Sequence, residues 1–370
     1  MRYRFVYSIE AIEQDPWNAL AGDTLSMTHG WLRLLERAFR NQQPCYIIFE
    51  DAAGWAAIVT ASTYGHFGRK GWREKLLRRA TLVVTAPYSS LHSGIALRSD
   101  VTIDQLLPDL QRALASLCWR KQRLIYALSS IDSADVAFWQ RHGFSASRQP
   151  DYSMLDLGCA TYEDYLQRLP GKDRAELRRI RRRGAESGVT FEIGPPRPGE
   201  GPEIYPLLCQ VHARYGHTLE TMPFGPTLLE TMSRELGDAV ILIRGYVNGV
   251  LEGVSICIRE GDSLSWPIAG LNYAVSRPTY LYFLLIDEMV RWSIGQGIRR
   301  ITGGLSNERE KRGHGFHIHE RWFCVRMHPS PANTLLVRAL PVLRRLIGDP
   351  DEETHPVPAA GIESTVIRSK

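Results

Sequence analysis

Apolar residues in the first half of the chain recur partly with the period of β-strands and partly with the period of helices. Residues 46–50 and 55–60 are two strand-like runs joined by a short turn, which predicts a β-hairpin. Between residues 103 and 121, leucine and alanine recur at helical spacing, which predicts an amphipathic helix. A further strand is predicted at 124–128. This half of the chain therefore has the pattern of a mixed α/β unit.

The second half begins with a strongly basic stretch, 173–187, that has helical spacing. Asn248 and Gly249 stand between two apolar runs, and this dipeptide is a strong signal for a hairpin turn. A loop is predicted at 272–278, followed by an apolar helix over 279–296. The other strands of this half are predicted at 189–193, 239–246, 250–258, 263–269 and 298–301. Antiparallel strands followed by a loop, a helix and a strand predict a mixed sheet with flanking helices.

The chain has 370 residues, about twice the length of a typical domain, so two domains are expected. Its six cysteines are scattered without a C-x-x-C pair, which argues against a disulfide framework and against a structural zinc site. The first residues have the pattern of a strand rather than of a signal peptide, and no apolar run has the length of a membrane span. These features predict a cytoplasmic protein and leave a peripheral membrane contact open.

The positive charge of the chain is concentrated in the basic helix. The net charge is only +5, but residues 168–183 carry eight Lys or Arg side chains against two acidic ones. Such an excess predicts a polyanionic partner. Coenzyme A, tRNA, a nucleotide-linked sugar and an anionic membrane all fit it, as does an ordinary solvated surface.

A series of motifs in the second half occurs in an order that resembles a known family. The motifs are Lys172–Arg183, Gly249–Ser255, Ala269–Tyr273, Tyr280–Glu288, Gly295–Arg300, Gly303-Gly304 and Glu310–Phe316. Over residues 160–326 they resemble the acetyltransferase domain of Fem-type peptidyltransferases and of their cellulose- and exopolysaccharide-associated relatives, which are members of the GNAT superfamily. A weaker resemblance covers the first half, at Trp17–Leu20, Thr28–Leu32 and Phe138–Phe144.

The resemblance implies an α/β (α+β) fold with two tandem GNAT-like domains, each a mixed and mostly antiparallel sheet flanked by helices. We expect an N-terminal GNAT-like domain over 1–157 and a C-terminal acyltransferase domain over 158–330. Residues 331–370 are expected to form a C-terminal helix and tail.

The start of the apolar helix is the predicted site for the donor. A helix amino end offers unpaired N–H groups and partial positive charge, which together bind phosphate. The predicted donor-binding residues are Val275, Ser276, Arg277, Thr279 and Tyr280. The glycines that GNAT proteins carry in this loop are missing here, and Fem-type relatives, whose donor is aminoacyl-tRNA, lack them too. A capped helix with a surface arginine is the alternative.

Four residues are candidates for the chemistry of acyl transfer. Glu252, in the middle of an apolar strand, is a candidate general base, and a strand residue facing solvent is the alternative. Asn272 and Tyr273 are candidates to hydrogen-bond the acyl carbonyl or the leaving group, with loop packing as the alternative. Lys311 stands where Fem-type relatives carry a lysine that assists the donor, so the resemblance implies a contact with a donor phosphate or ester.

Substrate contacts are predicted at the basic helix and at one histidine. Arg174, Arg178, Arg181 and Arg182 share a helix face that suits phosphate groups, and Arg174, Arg178 and Arg182 are the predicted substrate contacts. His314 is a candidate substrate contact. His317, His319 and Glu320 lie beside it in sequence, but no further ligand group is evident, and no metal is expected.

The sequence as a whole predicts an N-acyltransferase. The expected reaction moves an acyl group from acyl-CoA, a co-substrate and not a permanently bound cofactor, onto a primary amine of a small molecule, peptide or glycan precursor. An aminoacyl-tRNA-dependent, Fem-like transferase that forms an amide bond is the first alternative. A non-catalytic protein that binds envelope glycans or lipid is the second. No stable protein partner is predicted, and tRNA and the membrane surface remain open as partners.

Overall fold

The chain folds into two mixed β-sheets with flanking helices. The computed structural model describes residues 1–38, 43–63, 79–87, 92–149, 152–214, 225, 227–304 and 308–328. The expected C-terminal helix and tail, 331–370, lie outside the described residues.

The strands of the described part agree closely with the apolar pattern. They are β1 Arg2–Val6, β2 Cys45–Asp51, β3 Gly54–Thr63, β4 Thr81–Val84, β5 Ile95–Leu97, β6 Ile125–Asp132, β7 Ser145–Arg148, β8 Tyr152–Asp156, β9 Val189–Gly194, β10 Val240–Val247, β11 Val250–Glu260, β12 Ser263–Leu271, β13 Arg300–Gly304, β14 His317–His319 and β15 Arg321–Met327.

The α-helices of the described part are α1 Gln14–Ala21, α2 His29–Ala38, α3 Ile103–Arg120, α4 Val136–Arg141, α5 Tyr162–Arg168, α6 Gly171–Glu186, α7 Gly201–Arg214, α8 Leu228–Leu236, α9 Tyr273–Thr279, α10 Leu281–Gly295 and α11 Glu308–Arg312. The basic helix is α6, and the apolar helix is α10.

The predicted fold class is confirmed, but the two sheets exchange strands. The first sheet has the order β1-β2-β3-β4-β6-β15-β7, with β5 paired to β3, and the second has the order β14-β8-β13-β12-β11-β10-β9. Strand β8 therefore belongs to the second sheet, although it lies before residue 157, and β15 belongs to the first. The division into two domains at residue 157 remains a prediction. On each side of residue 157, one strand pairs within the sheet that is formed mainly by the other side.

Hairpin turns form where the sequence predicts them. Asn248 and Gly249 both have positive φ, 52° and 81°, and they join β10 to β11. Positive φ at both central residues matches the twist of a two-residue hairpin, which is why this dipeptide is a strong signal. Strands β2 and β3 pair as the other predicted hairpin.

Three apolar clusters hold the layers together. One packs α3 against the first sheet, and another packs α10 against the second. A third joins the two halves, because it contains α1 and α2 of the first half together with α7 and α8 of the second.

Helices cover both faces of the second sheet at very short range. A Cβ on Gly253 of β11 would lie 2.9 Å from the Leu281 side chain of α10. A Cβ on Gly270 of β12 would lie 2.9 Å from the Leu207 Cβ of α7. Gly253 pairs with Leu271, and neighbouring residues of a strand point to opposite faces, so α10 and α7 lie on opposite faces.

The predicted loop over 272–278 is wrong, because residues 273–279 form the short helix α9. Asn272 starts this helix, since its side chain accepts a hydrogen bond from the Ala274 backbone N–H. Tyr280 then adopts a left-handed conformation, with φ 58° and ψ 23°, and the chain enters α10. Pro278, within the predicted loop, lies in the last turn of α9.

Candidate active site

The central feature of the second sheet is an opening between β12 and β13. The two strands pair in parallel only at 263–265 and 300–302. Strand β12 continues to Leu271 without β13 as a partner, and β13 pairs with β8 on its other side. Two parallel strands that stop pairing in the middle of a sheet leave a gap that connects the two faces.

Lys311 lies at this opening. Its Nζ donates a hydrogen bond to the Gly303 carbonyl of β13 and lies 5.5 Å from the centre of the Trp266 ring of β12. The side chain is only 2 % exposed, and this burial lowers the pKa of Lys311 to about 8. Gly303 makes room for it, because a Cβ there would lie 3.3 Å from Lys311 Cδ. The chain thus holds a cationic group with a shifted pKa between the separated strands.

Trp266 is the second polar group at the opening, and sequence reasoning did not identify it. Its indole Nε1 is buried and has no hydrogen-bond acceptor in the part of the chain that the structure describes. The ring lies 5.9 Å from the ring of Tyr282 on α10, which fixes its position. A buried N–H without an acceptor is costly unless a ligand supplies one.

Glu252 and Asn272, both predicted for catalysis, are brought together by the structure. Asn272 Nδ2 donates to Glu252 Oε2 at 2.7 Å, and the Asn272 backbone N–H donates to the Glu252 carbonyl at 2.9 Å. Since Asn272 also starts α9, the pair fixes the end of β12. The general-base role of Glu252 remains a prediction.

The five predicted donor-binding residues divide into buried and accessible ones. Ser276 and Thr279 are buried, and the Thr279 hydroxyl donates to the Val275 carbonyl within α9. Arg277 is exposed, whereas Tyr280 is half-buried at the junction of α9 and α10. Side chains that could reach a bound donor from this segment are therefore those of Arg277 and Tyr280.

The basic helix α6 reaches this junction through two arginines that sequence reasoning did not single out. Arg179 and Arg183 donate to the Tyr280 hydroxyl at 3.4 and 3.3 Å, and the Arg179 guanidinium lies 5.1 Å from the ring centre. The hydrogen bond from Arg179 lowers the pKa of Tyr280. Helix α10 begins at this residue without a side-chain cap. Cationic groups therefore lie beside a helix amino end.

The three arginines predicted to bind substrate have different surroundings. Arg178 donates to Glu163 at 3.3 Å, and Arg182 lies 3.8 Å from Glu186. Arg174 has no charged partner among the described residues. All three remain predicted substrate contacts.

Asp287 of α10 is an acidic residue that is buried and only 1 % exposed. The Tyr162 hydroxyl and Arg181 both donate to its carboxylate, and Arg181 also reaches Glu288 at 2.9 Å. An ion pair can remain charged in a core when further hydrogen bonds satisfy its oxygen and nitrogen atoms, as they do here. This network fixes α6 against α10.

His314 is buried between two backbone carbonyls. Its ring nitrogens lie 3.3 Å from the Glu310 oxygen and 3.1 Å from the Phe283 oxygen, and burial lowers the pKa of the imidazole. The ring therefore ties α11 to α10. A substrate contact by His314 remains a prediction.

His317 and His319 reach different carboxylates, Asp156 at 3.6 Å and Asp132 at 3.3 Å. Over the ranges that the structure describes, no three His, Cys, Asp or Glu side chains are grouped so that they could hold a metal ion.

A wide pocket lies between the carboxyl end of α7 and the outer side of α9. Its volume is about 740 Å³. The lining residues are Gln210, Ala213, Arg214, Tyr273, Ala274, Arg277 and Pro278. The Arg214 guanidinium lies 4.6 Å from the centre of the Tyr273 ring. Two of the residues predicted for the site, Tyr273 and Arg277, thus face a pocket with a second arginine.

Comparison with known proteins finds a family match for part of the chain. Residues 171–312 match the model of the acetyltransferase (GNAT) domain family, a range that contains the opening, Lys311 and the α9–α10 junction. The match confirms the resemblance to the GNAT and Fem-type group and supports acyl transfer as the general activity. No curated protein sequence matches the chain.

Solved structures show the same tandem fold. FemX is similar with a TM-score of 0.61 at 8% identity, over 91% of this chain and 100% of that one. L-PGS from Bacillus licheniformis is similar with a TM-score of 0.53 at 18% identity, over 83% and 90%. A tandem GNAT protein from the clavulanic acid biosynthesis pathway is similar with a TM-score of 0.51 at 12% identity, over 88% and 98%. At these identities the similarity is one of fold.

Among the helices that the structure describes, none has the length and apolarity to cross a membrane.

Proposed function

We propose that this protein is an N-acyltransferase that moves an acyl group from acyl-CoA onto a primary amine, with the reaction taking place in the opening between β12 and β13. The observation that carries the proposal is the buried ammonium group of Lys311, held between Gly303 and Trp266 where the two strands separate. The amine nitrogen forms a bond to the thioester carbonyl carbon, and the carbon–sulfur bond breaks. The amine loses a proton, and the sulfur gains one.

Lys311 suits the two demands of this reaction. A pKa of about 8 leaves the amine mostly protonated at neutral pH and close to the value of a thiol, about 8.5, so it is matched to protonate the departing thiolate. Its positive charge also stabilises the tetrahedral oxyanion in a site with little water. The Trp266 N–H is a second donor that no described residue occupies.

The phosphate end of the donor is proposed to lie at the amino end of α10. The partial positive charge of a 15-residue helix is joined there by Arg179 and Arg183 through the Tyr280 hydroxyl. Trp266, whose ring lies beside Lys311 Nζ, packs in the apolar cluster around α10 and lies 5.9 Å from the Tyr282 ring near the start of that helix, so Lys311 and the junction lie on the same side of the sheet. One extended molecule could therefore contact both.

The aminoacyl-tRNA donor is the second candidate, and one observation favours it. The segment 275–280 has no glycine, so the close backbone approach to a diphosphate that glycines permit is missing. The exposed arginines of α6 would suit a nucleic acid backbone. In that reaction the leaving group is a ribose hydroxyl, which needs protonation by Lys311 even more than a thiolate does.

A pair of binding measurements separates the candidates. Thermal shift with coenzyme A and gel retardation with charged tRNA are run on the wild type and on Arg183→Gln, with Arg259→Gln on β11 as the control for the loss of an exposed arginine. An acyl-CoA enzyme is stabilised by coenzyme A, and Arg183→Gln weakens this effect. Retardation of charged tRNA alone supports the second candidate. Binding of neither ligand would overturn both and favour a non-catalytic protein that binds glycan or lipid.

A further inference from the structure

The pocket between α7 and α9 contains positive charge that the fold does not use. Arg244 is buried and pairs with Glu200 at 2.8 Å, and the half-buried Arg181 pairs with Asp287. Arg214 and Arg277, by contrast, are exposed and line the pocket without a carboxylate partner among the described residues. An anion that enters the pocket can therefore reach two guanidinium groups that no described carboxylate occupies.

The geometry of the pocket suits recognition of a specific group. The Arg214 guanidinium is held 4.6 Å from the Tyr273 ring, which reduces the entropy lost when it binds a ligand. Arg277 projects from α9, a helix fixed at its start by the Asn272 cap and by the Glu252–Asn272 hydrogen bond. Gln210 adds an amide to the same wall. Arginine forks of this kind bind planar or tetrahedral oxyanions through paired hydrogen bonds.

The position of the pocket separates it from the proposed donor site. Helix α7 packs on the face of the sheet that carries Gly270, whereas α10 packs on the face that carries Gly253. The cations proposed for the donor, Arg179 and Arg183, contact Tyr280 at the start of α10. A molecule bound to Arg214, at the carboxyl end of α7, would therefore lie apart from the cations proposed for the donor.

We infer that this pocket binds an anionic oxyacid group, a phosphate or a carboxylate, carried by the amine acceptor. This inference rests on the proposed function, because it assigns the amine to the face opposite the donor. It makes the acceptor an amine that also bears a negative charge, rather than a simple alkylamine. The source of the anion is either a free small molecule or the headgroup of a lipid.

Calorimetric titration of the full chain tests the inference with three probes: phosphoethanolamine, ethanolamine and inorganic phosphate. We expect phosphoethanolamine to bind at least tenfold more tightly than ethanolamine, and Arg214→Gln and Arg277→Gln each to weaken its binding about tenfold or more. Arg259→Gln is the matched control and should leave binding unchanged. Equal binding of the two amines, or phosphoethanolamine binding that ignores both pocket substitutions, would overturn the inference.

Two further experiments identify the source of the anionic group and whether the pocket belongs to the acceptor or to the donor. Binding to vesicles that contain phosphatidylethanolamine is compared with binding to phosphatidylcholine vesicles, which distinguishes a lipid headgroup from a free molecule. If the pocket binds a headgroup, the wild type binds the phosphatidylethanolamine vesicles and Arg214→Gln does not. If coenzyme A or charged tRNA displaces phosphoethanolamine competitively, the pocket belongs to the donor and the inference is wrong. If the substitutions weaken phosphoethanolamine binding but no acyl transfer occurs with either donor, the pocket stands and the proposed function fails.

Discussion

Over the residues that the structure describes, each sheet contains one pair of parallel strands, and the two pairs end differently. In the first sheet, β4 and β6 pair over 81–84 and 125–128, and the next residue, Ser129, donates its hydroxyl to the Val84 carbonyl at 3.2 Å. In the second sheet the pairing stops at Ser265, and a buried lysine lies near the separated strands. In the first sheet, a hydrogen bond between the two parallel strands closes the end of the pair. In the second sheet, the two strands separate around polar side chains.

The long helices that lie in the chain between the two strands of each pair differ in the same way. Helix α3 has a capping box, in which Thr102 and Gln105 satisfy each other's backbone N–H groups at 3.4 and 2.8 Å. Helix α10 begins at left-handed Tyr280 with no side-chain cap and with two arginines at its start. This difference supports the proposal that the donor binds at the second sheet, where the helix end has no side-chain cap and the two strands separate.

Replacing Lys311 by methionine should give the largest effect. We expect kcat to fall about 10²- to 10⁴-fold, as for loss of a general acid. Stability should increase, because a buried amine with a pKa of about 8 instead of 10.5 costs on the order of 3 kcal/mol at pH 7, less the lost hydrogen bond to Gly303. Acyl transfer assays and urea denaturation of Lys311→Met measure both, with Lys121→Met as the control. A variant that is active, or that is both inactive and unstable, would contradict this role.

The same lysine predicts a pH dependence with a defined sign. The acid form is needed, so kcat of the wild type should fall as the pH rises through about 8. For stability, the unfolded chain binds more protons than the native one between pH 8 and 10.5, so the wild type should gain stability relative to Lys311→Met over that window. Profiles of kcat and of unfolding free energy against pH check the two signs. A stability difference that does not change with pH in this range would show that Lys311 titrates normally.

Trp266→Phe should have the next largest effect. The ring and its packing on Tyr282 are kept, but the indole N–H is lost. If that N–H stabilises the oxyanion, kcat falls about 10- to 100-fold while donor affinity is nearly unchanged. Steady-state kinetics separate the two parameters. An effect confined to KM would assign Trp266 to binding instead.

Tyr280→Phe and Arg183→Gln should have smaller effects. Both disturb the start of α10, and we expect each to weaken donor binding several-fold. Because Arg183 donates to the Tyr280 hydroxyl, the double variant should lose less than the sum of the single losses. Equilibrium titration of the donor with all four proteins gives this coupling, and simple additivity would argue against a shared site.

Removing the amino-terminal cap of helix α3, on the first sheet, should have the smallest effect on activity. Thr102→Ala is expected to cost about 1 kcal/mol of stability and to leave kcat and KM unchanged. Thermal unfolding and the acyl transfer assay check this. A loss of donor affinity in Thr102→Ala would place a donor contact at α3 of the first sheet. The two sheets would then no longer differ in whether they bind the donor.

Local features of the structure could be predicted from the sequence, and long-range ones could not. The Asn248-Gly249 turn and the apolar helix α10 have strong local signals, and both predictions are confirmed. The short helix α9 was missed, because Ser276 to Pro278 favour turns and the Asn272 cap outweighs them. The exchange of β8 and β15 between sheets has no local signal, since pairing partners are far apart along the chain.

The candidate site shows the same limit. Lys311 was found through resemblance alone, because one lysine in a basic stretch has no distinctive spacing. Trp266 was missed because an aromatic residue in a strand is normally part of the core, and its unpaired N–H becomes visible only in three dimensions. The burial of Asp287 could not be predicted, because its partners, Tyr162 and Arg181, are more than 100 residues away in sequence.

The most direct test of the central claim is a crystal structure with whichever donor binds in solution, in a form that cannot react. We predict that the acyl group lies between β12 and β13, with its carbonyl oxygen within hydrogen-bonding distance of Lys311 Nζ, and that the phosphate end lies at Tyr280. A donor bound at the amino end of α3 in the first domain, or outside the opening of the second sheet, would contradict the account.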